Sequence, residues 1–122
     1  MSVANSSPDP MDAVCQFLEQ AIAWRAAGHL TPAMTAARQA LARCEAAVGP
    51  DHPDVAMTLN NLAVLYAETA RYAEAETMYW RALALFEAAL GPSHPKVATC
   101  RANYENLQRA CQELSAATAS EA

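Results

Sequence analysis

Val48-Gly49-Pro50-Asp51-His52-Pro53-Asp54-Val55-Ala56 decides the fold, because it returns 42 positions later as Leu90-Gly91-Pro92-Ser93-His94-Pro95-Lys96-Val97-Ala98. Gly, Pro, His, Pro, Val and Ala recur in register. A match of this length at one fixed offset marks the boundary of a structural repeat. In each copy the glycine ends one helix at its C′ position. The His-Pro pair then opens the next, with proline in the first turn where its missing N–H costs nothing.

Outward from this boundary, Val55, Leu59, Leu62, Ala63, Leu65 and Tyr66 form an apolar stripe at helical spacing. After a turn at Ala70-Arg71 comes a second stripe of Ala75, Met78, Tyr79, Ala82, Leu83, Phe86 and Leu90. Tyr66, Tyr79 and Leu83 are the largest expected core side chains. Glu74 and Glu76 sit in the first turn of that helix, favourable for its dipole. Shifting this unit back by one period puts Tyr66 on Trp24, Ala70 on Gly28, Ala82 on Ala40 and Leu83 on Leu41. Pro50 and Asp51 fall on Pro8 and Asp9, so a degenerate first copy precedes, without the His-Pro pair. Its own inner start signal is Thr31-Pro32, read as N-cap and first turn. Shifting forward, Leu59, Ala63 and Tyr66 become Arg101, Glu105 and Gln108. Three core positions turn polar together, as the last helix of a stack requires when its outer face meets water.

The expected architecture is all-α: five helices, two antiparallel pairs plus one capping helix. The expected boundaries are a flexible segment 1–9, a helical repeat domain 10–114 and a flexible tail 115–122. Composition agrees. Apolar residues make up 53% of 122, with only three glycines, and alanine is used more heavily than the β-branched residues, which favours closely packed helices.

At these residues the chain resembles the tetratricopeptide repeat family, and more closely its 42-residue variety found in kinesin light chains and many bacterial repeat proteins. The signature runs Leu59-Asn60-Asn61-Leu62-Ala63-Val64-Leu65-Tyr66, Arg71-Tyr72-Ala73-Glu74-Ala75-Glu76, Tyr79-Trp80-Arg81-Ala82-Leu83, Leu90-Gly91-Pro92 and His94-Pro95. Ala70 stands where the family usually has glycine, an exchange that is mild if the backbone there is near helical.

The resemblance implies a right-handed superhelix whose first helices line a concave groove for an extended peptide or a partner helix. Carried onto this sequence, the groove positions are Met57, Asn60, Asn61, Val64, Ala67 and Glu68 in the middle copy. They are Cys15, Leu18, Glu19, Ile22, Arg25 and Ala26 in the first, and Thr99, Ala102, Asn103, Asn106, Arg109 and Ala110 in the last. Asn61 and Asn103 match the family's groove asparagine. A carboxamide carries both donor and acceptor and so pairs with a peptide backbone without reading its sequence. Glu19 breaks that ladder in the first copy. Tyr72 is expected on the edge of its helix, outside the groove. Arg25 and Arg109 present paired N–H donors suited to a carboxylate. The family's carboxylate clamp, however, spans three full pairs, and surface arginine is the plainer reading.

Other function classes find little support. No glycine-rich phosphate loop or nucleophile elbow is present, so no enzyme is expected. His52 and His94 lie one repeat apart before prolines, so turn chemistry accounts for both without a metal, and no cofactor is expected. Four cysteines occur with no CxxC pair. Cys100 and Cys111 lie roughly 16 Å apart along one helix, too far for a disulfide, and all four read as small apolar fillers. The formal charge of −5, without a basic run, makes nucleic acid and anionic membrane poor partners. No apolar run approaches the ~20 residues that span a bilayer, and 1–10 lacks the regions of a signal peptide. A cytoplasmic location follows as the expectation.

The leading expectation is a non-catalytic adaptor or scaffold binding a protein segment, with affinity on the order of micromolar or poorer for so short an array. The alternative is a homodimer through an edge helix, with Val14, Phe17, Leu18 and Ile22 exposed over a wide arc. A third possibility is a part that works only beside a larger array.

Overall fold

The computed structural model describes residues 9–121. It contains α1 (Pro10–Ala26), α2 (Leu30–Val48), α3 (Pro53–Glu68), α4 (Tyr72–Leu90) and α5 (Pro95–Glu121). Each helix packs on its neighbours in sequence, α1 on α2, α2 on α3, α3 on α4 and α4 on α5. The result is two layers: α1, α3 and α5 in one, α2 and α4 in the other. The expected all-helical repeat architecture is the one observed.

The helix ends explain why the boundary stretch recurs. His52 Nδ1 accepts the Asp54 N–H and His94 Nδ1 accepts the Lys96 N–H, both at 3.0 Å. Each histidine is thus an N-cap, satisfying one of the orphan donors of the first turn. Asp9 does the same for α1. It accepts the Met11 N–H at 2.9 Å, while Asp12 reaches back to the Asp9 N–H in a capping box. Asp9 therefore belongs to the folded domain, and the rest of the expected flexible segment, 1–8, lies outside the described residues. Thr31 is not the N-cap of α2. The preceding turn delivers the chain directly into helix, with the Ala33 N–H already bonded to the His29 carbonyl.

That turn is a Schellman motif. The His29 N–H bonds the Trp24 carbonyl and the Gly28 N–H bonds the Arg25 carbonyl. The same pair of bonds recurs after α3, from Arg71 to Tyr66 and from Ala70 to Ala67. Gly28 has φ +84° and Ala70 φ +63°. Ala70 is left-handed, then, not near helical, and the exchange for glycine is not mild, because a Cβ in this region crowds the following carbonyl. Ala70→Gly is expected to stabilise by about 0.5–1 kcal/mol, the relief of left-handed strain less the greater entropy of glycine in the unfolded chain. A thermal melt checks it; an unchanged or lower Tm would count against the strain.

The core joins Val14, Leu18 and Ala21 of α1 to an alanine-lined α2, then to Leu59, Leu62 and Leu65 of α3 and to Ala75, Tyr79, Ala82 and Phe86 of α4. Tyr66 and Tyr79 are buried as expected. Leu83 is only half-buried, and Phe86 takes the deep position in α4. Arg38 donates from Nε to the Tyr66 hydroxyl at 3.0 Å, and the Arg71 guanidinium lies 4.5 Å from the centre of its ring. In the α2–α4 layer, Arg81 bridges to Glu45 at 2.9 Å and to the Pro50 carbonyl at 3.1 Å. Cys44 and Cys100 are buried fillers, whereas Cys15 is exposed.

Both outer faces are polar or small. On α5, Arg101, Glu105 and Gln108 are exposed, as expected of a capping face. On α1 the residues one period before Val55, Thr58, Leu62 and Leu65 are Ala13, Gln16, Gln20 and Ala23, and the last three are exposed. The expected tail from 115 onward is helical as far as Glu121. No glycine or proline interrupts 96–121, so nothing breaks the backbone ladder.

Candidate functional site: the face formed by α1, α3 and α5

The three first helices meet along one face, with α3 in the middle and a depression on either side of it. Between α1 and α3 the depression is lined by Ala21, Ile22, Arg25, Asn61, Val64 and Leu65. Between α3 and the middle of α5 lies one of ≈ 270 Å³, lined by Val64, Ala67, Glu68, Asn103, Asn106, Leu107 and Ala110, with Arg25, Tyr72 and Tyr79 closing it. Val64 and Arg25 border both, so the two adjoin. A third depression, at the start of α5, holds Met57, Asn60, Phe86, Pro95, Lys96 and Thr99.

Repeat spacing brings most of the expected groove residues here. Asn60, Asn61, Val64, Glu68, Asn103, Asn106, Ile22 and Arg25 all line one of these three depressions. Ile22 is 59% exposed, a large apolar side chain open to water. Leu18 is a correction: it is only 7% exposed and joins the core with Val14 and Ala21. Its repeat equivalent is Asn60, a position on the border between groove and core. Leucine at that border goes to the apolar side, whereas Asn60 keeps its amide on the groove side. Arg109 does not line the depressions; it donates from Nη1 to Asn106 Oδ1 at 3.1 Å. The exposed arc expected on α1 is also corrected. Val14 is buried, and Phe17 is half-buried, with the Arg43 guanidinium 5.1 Å from its ring centre.

Two pairings give the face its electrostatics. Arg25 grips Glu68 with both arms, Nε to Oε1 at 2.6 Å and Nη2 to Oε2 at 3.1 Å. The bidentate bond to Glu68 raises the Arg25 pKa, with burial opposing it, and the pair is neutral together. The second pairing is Asn103 Nδ2 to Asn60 Oδ1, at 3.2 Å, tying α5 to α3. Asn61 and Asn103 therefore do different things. Asn61 has no side-chain hydrogen bond among the described residues and faces the α1–α3 depression, whereas Asn103 spends one donor on Asn60.

Spacing missed Tyr72 and Tyr79. Both lie on α4, and Tyr72 was expected outside the groove, yet both reach the α3–α5 depression. The available signal was that two tyrosines stand one turn-pair apart on one side of α4. Burial pushes the Tyr79 phenol up to about 12, so its hydroxyl stays protonated across the neutral range. No group of three or more His, Cys, Asp or Glu side chains that could hold a metal ion occurs among the described residues, and no described helix is long and apolar enough to cross a membrane.

A family model described as Tetratricopeptide repeat matches residues 21–54 and 55–96. A comparison with curated proteins finds no match.

Proposed function

The chain belongs to the tetratricopeptide repeat family, and from that membership and the shape of the α1–α3–α5 face we propose a non-catalytic module that binds an extended segment of a partner protein along it. Repeats of this family generally mediate protein–protein interaction. The observation that carries the reading is the pair of adjoining depressions flanking α3, which share Arg25 and Val64 on their borders and carry the amides of Asn61, Asn103 and Asn106. Such a face offers apolar contact together with donors and acceptors for a peptide backbone.

Asn61 is the cleanest probe, because its side chain serves no internal bond. Asn61→Ala is expected to weaken partner binding by about 0.5–1.5 kcal/mol, one net neutral hydrogen bond, and to leave Tm unchanged. Asn103→Ala is expected to weaken binding and lower Tm slightly, since it also unties Asn60. A partner recovered by pull-down and titrated by calorimetry makes the measurement. Indifference of its affinity to both substitutions would sink the reading.

Self-association through an edge helix is the second reading. Its support is the exposure of Ile22 at 59% and Trp24 at 43% on α1. Light scattering across a dilution series separates the two: a dimer that persists on dilution favours self-association.

A further inference from the structure

The α3–α5 depression has a mostly apolar lining interrupted by the polar side chains of Arg25, Glu68, Tyr72, Asn103 and Asn106, and Tyr79 forms part of its wall. Tyr79 is only 3% exposed, yet its hydroxyl has no hydrogen-bond partner among the described residues. No polar side-chain atom there is both enclosed and unpaired, so this hydroxyl opens into the depression that Tyr79 lines. Burial dominates its electrostatics, and the paired Arg25 and Glu68 act on it in opposite senses. Val64, Ala67, Leu107 and Ala110 supply the apolar sides.

The chemistry of an occupant follows. A cavity of ~150 Å³ accommodates a benzene ring, and ≈ 270 Å³ takes an aromatic side chain with room for its polar tip. A hydroxyl both donates and accepts, so a second phenol answers it, while a plain hydrocarbon leaves it unanswered. A charged tip is disfavoured: a carboxylate would lie beside Glu68 and an ammonium beside Arg25, each already paired. Asn103 and Asn106 stand at the side to hold the flanking backbone. We propose that this depression is the anchor site of the groove, taking a tyrosine side chain of the partner segment with its phenol oxygen hydrogen-bonded to the Tyr79 hydroxyl. The proposal rests on the groove reading above and specifies what that groove selects.

The test titrates the full ¹⁵N-labelled chain with capped tripeptides, acetyl-Ala-Xaa-Ala-amide with Xaa Tyr, Phe or Glu, at millimolar concentration. Amide shifts are read by NMR. The tyrosine probe is expected to shift Val64, Ala67, Asn103 and Leu107, and to bind about three- to tenfold more tightly than the phenylalanine probe, the value of one neutral hydrogen bond. The glutamate probe is expected to bind most weakly. Tyr79→Phe keeps the ring packing and should abolish the tyrosine preference while leaving the phenylalanine probe unchanged; its far-UV spectrum checks that the fold is kept. Equal affinity for the two aromatic probes, or a preference that survives Tyr79→Phe, overturns the anchor while shifts still on α3 and α5 leave the groove reading standing. Shifts confined to the outer faces of α2 or α4, or no shift with any probe, overturn both.

Discussion

Phe86→Ala should cost about 3–5 kcal/mol, the range for truncating a buried aromatic. Phe86 is 3% exposed, the last buried residue along the core face of α4, and belongs to the apolar core cluster. Its repeat equivalent on α2 is Cys44, a much smaller side chain that is also fully buried. The middle pair thus places its bulk where the first pair has little. A domain of this size commonly has about 5–15 kcal/mol in total, so the variant should melt far earlier in urea with an unchanged m-value. Phe86 also lines the depression with Met57, Asn60 and Thr99, so binding at that end of the groove should weaken with folding. Leu83→Ala is expected to cost less than the ~2–5 kcal/mol of a fully buried leucine, since Leu83 is already half open to water. A cost for Phe86→Ala under about 1 kcal/mol, or one smaller than that of Leu83→Ala, would contradict the packing.

The second large effect is expected at Gly91. It ends α4 with φ +89° and ψ 155°, and Gly49 ends α2 with φ +85° and ψ 167°. Only glycine adopts this region without strain, and a residue forced into it costs of order 1–3 kcal/mol. A Cβ built on Gly91 meets nothing within 4 Å, so the cost is backbone strain and not a clash. Gly91→Ala and Gly91→Ser should consequently lose the same amount in a denaturant melt. D-alanine at position 91, introduced by semisynthesis, should restore most of the stability, because its mirror-image preference matches the observed angles. A D-alanine variant no better than the L-alanine one would show that strain is not the cause. The turns after α1 and α3 are more forgiving, as Ala70 itself demonstrates at φ +63°.

The groove divides into what spacing conveys and what it does not. Residues 42 apart share an environment because consecutive helix pairs repeat the same packing. Spacing therefore placed Asn61, Val64, Asn103 and Asn106 on one face, and it identified Arg101, Glu105 and Gln108 as a water-facing end. Leu18 shows the limit. A border position is resolved by the side chain that occupies it, and the same register gives an inward leucine in one copy and a groove-side asparagine in the next. Ala70 shows another: no side-chain pattern distinguishes a left-handed residue from the last turn of a helix when the residue is alanine.

By itself the sequence determined the period, the five helices, the His-Pro entry turns, the polar outer face of the last helix and the family. Each of these depends on local propensity, on apolar spacing within one or two turns or on recurrence at one fixed offset, which the order of residues encodes directly. Only the tertiary structure decided that Arg25 is held by Glu68, that Asn103 bonds Asn60 in place of standing free beside Asn61, and that the Tyr79 hydroxyl opens between α3 and α5. Those outcomes turn on where side-chain tips from residues up to 43 positions apart meet across packed helices. The reach and direction of each tip are set by the approach of the helices in space, which no periodicity along the chain specifies.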